Sequence, residues 1–324
     1  YTYDKSDDAY NKNGVYSIKL LVNQYLIYHF EADHLDFNTN RYINAHIDYK
    51  EKKKNKKKFH RCYKLPLNKL KNYKTLIDNG IFKVEADSIY DITILVSDIL
   101  GNESKMNFKI KGKEIIEKEK KQQPITKTFS FNQPNIFRSK GFQLHMEKNS
   151  LYNNINFMYS HRDSIDGVFG KVHQCHFDIE PVHKNYVISI DANIPDSLDK
   201  KVYIAKIDEK QNFIYKGGKW NQGMLSAKVR EFGDFCIIAD TINPIIKGIN
   251  IYPGKIIKSA ATIKCMIQDK ESGIKSYNGF IDDTWILMEY DHKTRLVRYD
   301  IDNSIKRGKH QFKLVVSDNV GNQT

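Results

Sequence analysis

The sequence predicts an all-β protein built as three tandem immunoglobulin-like antiparallel β-sandwich domains, with one short helix in the first. Three observations carry this reading: apolar residues alternate with a period of two in many short runs, turn-forming residues separate the runs, and helix-period segments are scarce. A chain of 324 residues also exceeds what one hydrophobic core usually organises, which sets the domain count at two or three. Hydrophobic residues at 40% and only 7 Pro and 17 Gly describe a folded chain, and 12% aromatic residues suit half-buried pleated surfaces.

The elements follow in order. Tyr16, Ile18, Leu20 and Val22 alternate with polar or small residues, and after Asn23-Gln24 the run Leu26, Tyr28, Phe30 alternates again, so the two form a β-hairpin. Leu70, Tyr73 and Ile77 lie at helical spacing within residues 68–79, with Gly80 as the C-cap, which predicts the one short helix. The strand period returns at Ile92, Ile94, Val96, at Tyr186, Ile188, Ile190, at Val202, Ile204, and at Phe312, Leu314, Val316. An internal repeat orders these runs. The segment from Val96 to Ser104 matches that from Val316 to Thr324 in Val, Ser, Asp, Gly, Asn and a final hydroxyl residue, each time after alternating apolar residues. This is a buried strand ending in a turn, where Asp bonds the backbone two residues on and Gly-Asn takes a left-handed conformation. Two similar domains therefore flank a different middle one. Residues 113–123, rich in Lys, Glu and Gln, have the composition of a linker, and a turn at Asp240 to Pro244 marks a second boundary. The expected domains are residues 1–112, 124–239 and 240–324, the last truncated at its C-terminal end.

Cys62, Cys175, Cys236 and Cys265 form no CxxC pair and read as buried thiols; Cys265 shares the period-2 face of Ile263 and Ile267. Cys175 and Cys236 fall in one domain, and spacing does not decide whether they are bridged. The formal charge of +13 points to an anionic partner, and much of it is local, with seven lysines and one glutamate between Lys50 and Lys58. That run reads first as a solvated loop tip, with Lys52, Lys53, Lys54, Lys56, Lys57 and Lys58 as the candidate anion contact. No aromatic residue is interleaved and no apolar helical face accompanies it, so neither nucleic acid nor a membrane surface is expected as a partner, and no run is long and apolar enough to span a membrane.

Eleven histidines prompt a search for a metal centre. His29 and Asp33 give an HxxxD spacing, but on a strand they sit about 13 Å apart, too far to share an ion. In the run from His173 to Asp178, strand alternation sends His173 and Cys175 to one face and His176 and Asp178 to the other. No HxH, HExxH, GxSxG or Gly-rich phosphate loop occurs, so no catalytic or metal residue is assigned. Asp282-Asp283 sits where a hairpin turn belongs. Asp240, Asp269, Glu271 and Asp318 fall in boundaries and loops of the last domain, where junctional calcium clamps can form, although the ligand-dense loop motif is missing. Trp220 reads as a core plug before a sugar-stacking platform, and is the candidate aromatic contact; Trp285 reads as a plug too.

The segment from Arg41 to Tyr49, the lysine run, and His60-Arg61-Cys62 through Leu65-Pro66 resemble the region just downstream of the peptidase domain in exported bacterial zinc metallopeptidases of the lysostaphin/LytM type. Gly217 to Trp220, Phe232 to Phe235, Asp240-Thr241 with Pro244, Ser272-Gly273-Ile274 and the Asp318 to Asn322 turn resemble the accessory sandwiches of the same proteins. The resemblance implies an exported protein of the periplasm or cell envelope whose peptidase domain cuts peptidoglycan cross-bridges, with zinc held by an HxxxD pair and a later HxH. This chain lacks the HxH, so the zinc is expected upstream and no cofactor here. The chain would then be a non-catalytic accessory region that positions its own peptidase domain or binds peptidoglycan or another anionic envelope polymer. An adhesin-like or carbohydrate-binding array without an enzyme is the alternative.

Overall fold

The computed structural model describes residues 1–5, 10, 12–114, 126–258, 261–302 and 305–324. Most of the expected linker, 115–123, lies outside the described residues. The fold is all-β, every strand pair is antiparallel, and the helices are short.

The N-terminal part holds one five-stranded sheet, in the order Tyr73–Leu76, Tyr25–Glu31, Ser17–Val22, Ile89–Ser97, Glu103–Lys111. Its hairpin turns through Asn23 and Gln24, both left-handed at φ 48° and 69°, the mirror-image turn that matches strand twist. Residues 40–72 form the second layer: Tyr42, Ala45, Leu67 and Leu70 pack on Ile18, Tyr28, Phe30 and Ile92. The expected helix over 68–79 is instead an edge strand, Tyr73–Leu76, followed by the 3-10 turn Asp78–Gly80. Tyr73 and Leu76 belong to a strand because the neighbouring strand Tyr25–Glu31 offers an unpaired edge, and Phe30 meets the Tyr73 ring edge-on at 5.5 Å. The helix lies in the lysine run, at Tyr49–Asn55, where a loop was expected. Asp48 caps it by accepting from the Glu51 N–H (3.1 Å), and Lys52, Lys53 and Lys54 occupy its last turn, where cations oppose the helix dipole.

A central sandwich follows. One sheet runs Lys219–Asn221, Met224–Val229, Tyr186–Ile190, Phe142–Met146, Asn135–Ser139; the other runs Tyr159–Arg162, Val168–Cys175, Gly233–Ala239, Val202–Ile207, Phe213–Tyr215. The core between them includes Phe142, Ile188, Ile204, Phe235 and Ile237. Strand Val202–Ile207 is buried throughout because it has two apolar faces: Val202 and Ile204 enter that core, while Tyr203, Ala205 and Ile207 join Cys236 and Ile238 on the other side of the sheet.

The C-terminal sandwich packs the sheet Ile245–Gly248, Thr262–Gln268, Leu296–Asp300, Glu289–Asp291 against Thr284–Ile286, Ile274–Ile281, Phe312–Asp318. Ile263, Cys265 and Ile267 share its core face, as their alternation predicts. Asp282 and Asp283 form the expected turn, at φ 47° and 63°. All four cysteines are free thiols; Cys175 points into the central core and Cys236 to the opposite side of its sheet, so they are not bridged.

Candidate functional site

The polar chemistry gathers at two junctions. At the first, the central sandwich reaches into the N-terminal part. Tyr152 is 2% exposed and packs in the N-terminal core. Its hydroxyl donates to the Arg41 carbonyl (3.1 Å) and meets His183 Nδ1 at 3.0 Å, while Tyr42 stacks on the His183 ring at 4.3 Å. Burial drives the His183 imidazole down to about 4, so it is neutral near pH 7. The segment from Arg41 to Tyr49 is thus mostly interior: Ala45 and His46 are fully buried, His46 stacks on Phe30 at 4.0 Å, and its Nε2 meets His60 Nδ1 at 3.0 Å.

Beside this contact lies an ion network built on Lys206, whose side chain is 6% exposed. Its ammonium donates to Asp178 Oδ2 and Glu231 Oε2, both at 2.6 Å; Lys53 of the helix also donates to Asp178 Oδ2 (2.8 Å), and Lys216 pairs with Glu231. Burial alone would raise the Glu231 carboxyl, but the Lys206 and Lys216 ammoniums hold it below its ordinary value. Gly233 takes φ 137°, a conformation that L side chains rarely adopt, and a Cβ on it would lie 2.8 Å from Lys206 Cε. A polar cleft of about 390 Å³, lined in part by Arg61, Tyr63, Tyr152, His176 and Glu180, opens next to the junction.

The second junction joins the central and C-terminal sandwiches. Val320 packs on the apolar patch around Tyr203, and three carboxylates, Asp240, Asp269 and Asp318, each offer an oxygen within 4.8 Å of the others. Asp240 follows strand Gly233–Ala239, Asp269 follows Thr262–Gln268, and Asp318 closes Phe312–Asp318. Backbone amides fix each one. Asp240 accepts from Ile242 and Ser272, Asp269 from Glu271 and Gly273, and Asp318 from Val320 and Asn322. Burial, then the nearby Asp240 charge, raises the Glu271 carboxyl; burial also raises Asp269. Among the described residues this is the one cluster of His, Cys, Asp or Glu with metal-holding geometry, and its donors are all oxygen.

The expected site residues are dispersed. Lys54, Lys56, Lys57 and Lys58 are exposed, whereas Lys53 is tied to Asp178 and Lys52 donates to Asn44 (3.3 Å). Neither tryptophan is a plug: Trp220 is 37% exposed on the edge strand Lys219–Asn221, donating to the Asp199 carbonyl, and Trp285 is 54% exposed, donating to Asn278. Both strands lie at sheet edges, and both rings stay partly in water. His29 bonds Ser17 and Glu31, and Asp33 bonds Lys74 and His34, so each half of the HxxxD pair is spent on its own partners. The alternation expected from His173 to Asp178 stops early because the strand ends at Cys175; left-handed His176 (φ 57°) turns its ring toward Phe157 and Phe232. Sequence reasoning passed over Tyr152 and the Lys206 network. The available signal was Lys206 itself, a lone cation in the apolar run from Val202 to Ile207, which demands buried carboxylates.

Residues 126–240 match the family model of the Zu5-like domain, a β-rich domain family, and the match ends at Asp240 of the second junction. No curated protein matches the chain.

Proposed function

We propose that this chain is the non-catalytic accessory region of a cell-envelope zinc metallopeptidase of the lysostaphin/LytM type, acting as a stiff spacer that positions a peptidase domain against peptidoglycan. One observation carries the reading: segments that bear the resemblance to those peptidases converge on the two junctions. Arg41 to Tyr49 makes the first, through Tyr42 and the Arg41 carbonyl; Asp240, Ser272-Gly273 and Asp318 to Asn322 make the second. Side chains shared with a family and spent on joints serve the relative placement of parts. The exposed lysines 54 and 56–58 supply a contact for anionic envelope polymer, weak and salt-sensitive as surface charges are.

Zinc content and peptidoglycan cleavage, measured on this chain and on the protein extended through its upstream sequence, test the proposal. Zinc and cleavage confined to the longer protein are expected. Stoichiometric zinc or cleavage in this chain alone overturns the reading. The half-exposed Trp220 and Trp285 rings favour a second reading, an array that binds carbohydrate with no associated enzyme. That reading prevails if the extended protein neither binds zinc nor cuts while this chain binds glycan.

A further inference from the structure

We propose that the junction between the central and C-terminal sandwiches binds a hard divalent cation, calcium in type, through the carboxylates of Asp240, Asp269 and Asp318. Two oxygens on opposite sides of a calcium ion, each about 2.4 Å from it, lie about 4.8 Å apart. The three carboxylates lie inside that span, one oxygen from each within 4.8 Å of the others. Asp240 and Asp318 have no solvent exposure, and none of the three, nor the neighbouring Glu271, forms an ion pair with the described residues. Two fully buried carboxylates and two half-buried ones, without a counter-charge, repel one another and forfeit hydration, a cost that a divalent cation reverses.

An acidic cluster alone would not identify a site, and two other side chains point to a ligand. The Tyr203 hydroxyl belongs to a residue 1% exposed and has no hydrogen-bond partner; the Ser272 hydroxyl, on a residue 2% exposed, has none either. Ser272 is locked at the cluster by its own N–H, which donates to Asp240 Oδ2 (3.1 Å). Tyr203 faces the cluster: after burial itself, the charges that disfavour its phenolate are those of Asp240, Glu271 and Asp269, in that order. Two buried, unpartnered hydroxyls beside the carboxylates are served by an ion and its bound water, with Ser272 as a neutral oxygen donor and Tyr203 as a donor to that water.

The donor set decides the metal class. All donors are oxygen, with no thiolate or imidazole among them, which disfavours zinc and copper. Magnesium requires a compact octahedron at about 2.1 Å and releases water reluctantly, so a set of three protein carboxylates suits calcium, whose coordination is more flexible. Asp240 continues the last strand of the central sandwich, whereas Asp269 and Asp318 close strands of the C-terminal one. The ion therefore cross-links two sandwiches and fixes the angle between them.

Calorimetric melting of the EDTA-stripped chain, with and without calcium chloride, and isothermal titration with calcium chloride test this. The expected result is one calcium per chain and a melting temperature raised by about 5 °C at a calcium concentration about 100-fold above Kd. Asp269→Asn is the informative variant, because an amide oxygen still accepts from the Glu271 and Gly273 N–H groups while the charge is gone. It should melt no lower than the parent in EDTA and bind calcium at least tenfold more weakly. The proposal is overturned if neither heat nor a rise in melting temperature is seen up to about 10 mM calcium, above the weak end of calcium modules. It is also overturned if Asp269→Asn keeps the parent affinity, which would place the ion elsewhere, and the calcium assignment fails if magnesium acts equally well.

Discussion

At the residue scale, two lysines that share one carboxylate oxygen differ in what surrounds them. Lys206 and Lys53 both donate to Asp178 Oδ2, but the Lys206 side chain is 6% exposed and that of Lys53 is 32% exposed. Removing one partner from a buried ion pair costs about 3–5 kcal/mol, because the remaining charge is stranded, whereas a partly exposed pair contributes about 1 kcal/mol or less. Lys206→Ala should therefore destabilise the central sandwich by about 3 kcal/mol in urea unfolding, and Lys53→Ala by about 1 kcal/mol at most. Equal effects would mean that Asp178 and Glu231 find water as readily as they find Lys206. The aspartate turns follow the same logic of surroundings. Asp98, Asp208 and Asp318 each accept from the amides two and four residues on and from the Asn side chain four residues on. Only Asp318 is fully buried, because only its turn is pressed into a junction.

At the scale of elements, the helix Tyr49–Asn55 shows why one run of residues carries two roles. Its Lys53 is drawn to Asp178 of the central sandwich, while the chain after its left-handed end at Lys56 (φ 56°) leaves lysines 56–58 in water. Replacing lysines 54 and 56–58 by glutamate should abolish co-sedimentation with anionic cell-wall polymer at low salt and leave the melting temperature within about 2 °C, since such side chains contribute little to stability. Unchanged sedimentation would remove the anion contact. The helix was illegible in sequence because periodicity looks for an apolar face, and a two-turn helix whose buried residues are none has no such face. Its signal was the cap, Asp48 three residues before Glu51. The hairpins, by contrast, were legible, since Asn23-Gln24 and Asp282-Asp283 combine strand alternation on both sides with residues that tolerate positive φ. The edge strand Tyr73–Leu76 was not, because what makes it a strand is a neighbour more than forty positions earlier. The carboxylates of the second junction were legible as residue types at a boundary; their convergence depends on how two sandwiches meet, which no local pattern encodes.

At the scale of the whole molecule, buried and half-buried neutral histidines tie the packing of the N-terminal and central parts to pH. His46, His173, His176 and His183 sit in the N-terminal core, the central core and the joint between them. Burial lowers His46 to about 3 and His173, His176 and His183 to about 4 from the ordinary 6.5. Between those values the unfolded chain binds more protons than the folded one, so unfolding takes up protons and acid favours it. Their contribution is complete above about pH 6.5 and is lost as pH falls toward 4. Glu231, held low by its lysines, acts in the same direction at lower pH, its contribution present above its ordinary value and lost as pH falls through the folded one. Asp269 and Glu271, both raised by burial and then by the nearby Asp240 charge, oppose this, because protonation relieves the repulsion. Four histidines outweigh two carboxylates. In EDTA the melting temperature should fall by about 10 °C between pH 7 and pH 5, and the imidazole C2 proton resonances of these histidines should stay at their neutral positions throughout the folded range. A flat melting curve over that interval, with imidazoles titrating near 6.5, would mean that water reaches these rings and that the joint between the N-terminal sheet and the central sandwich opens in solution.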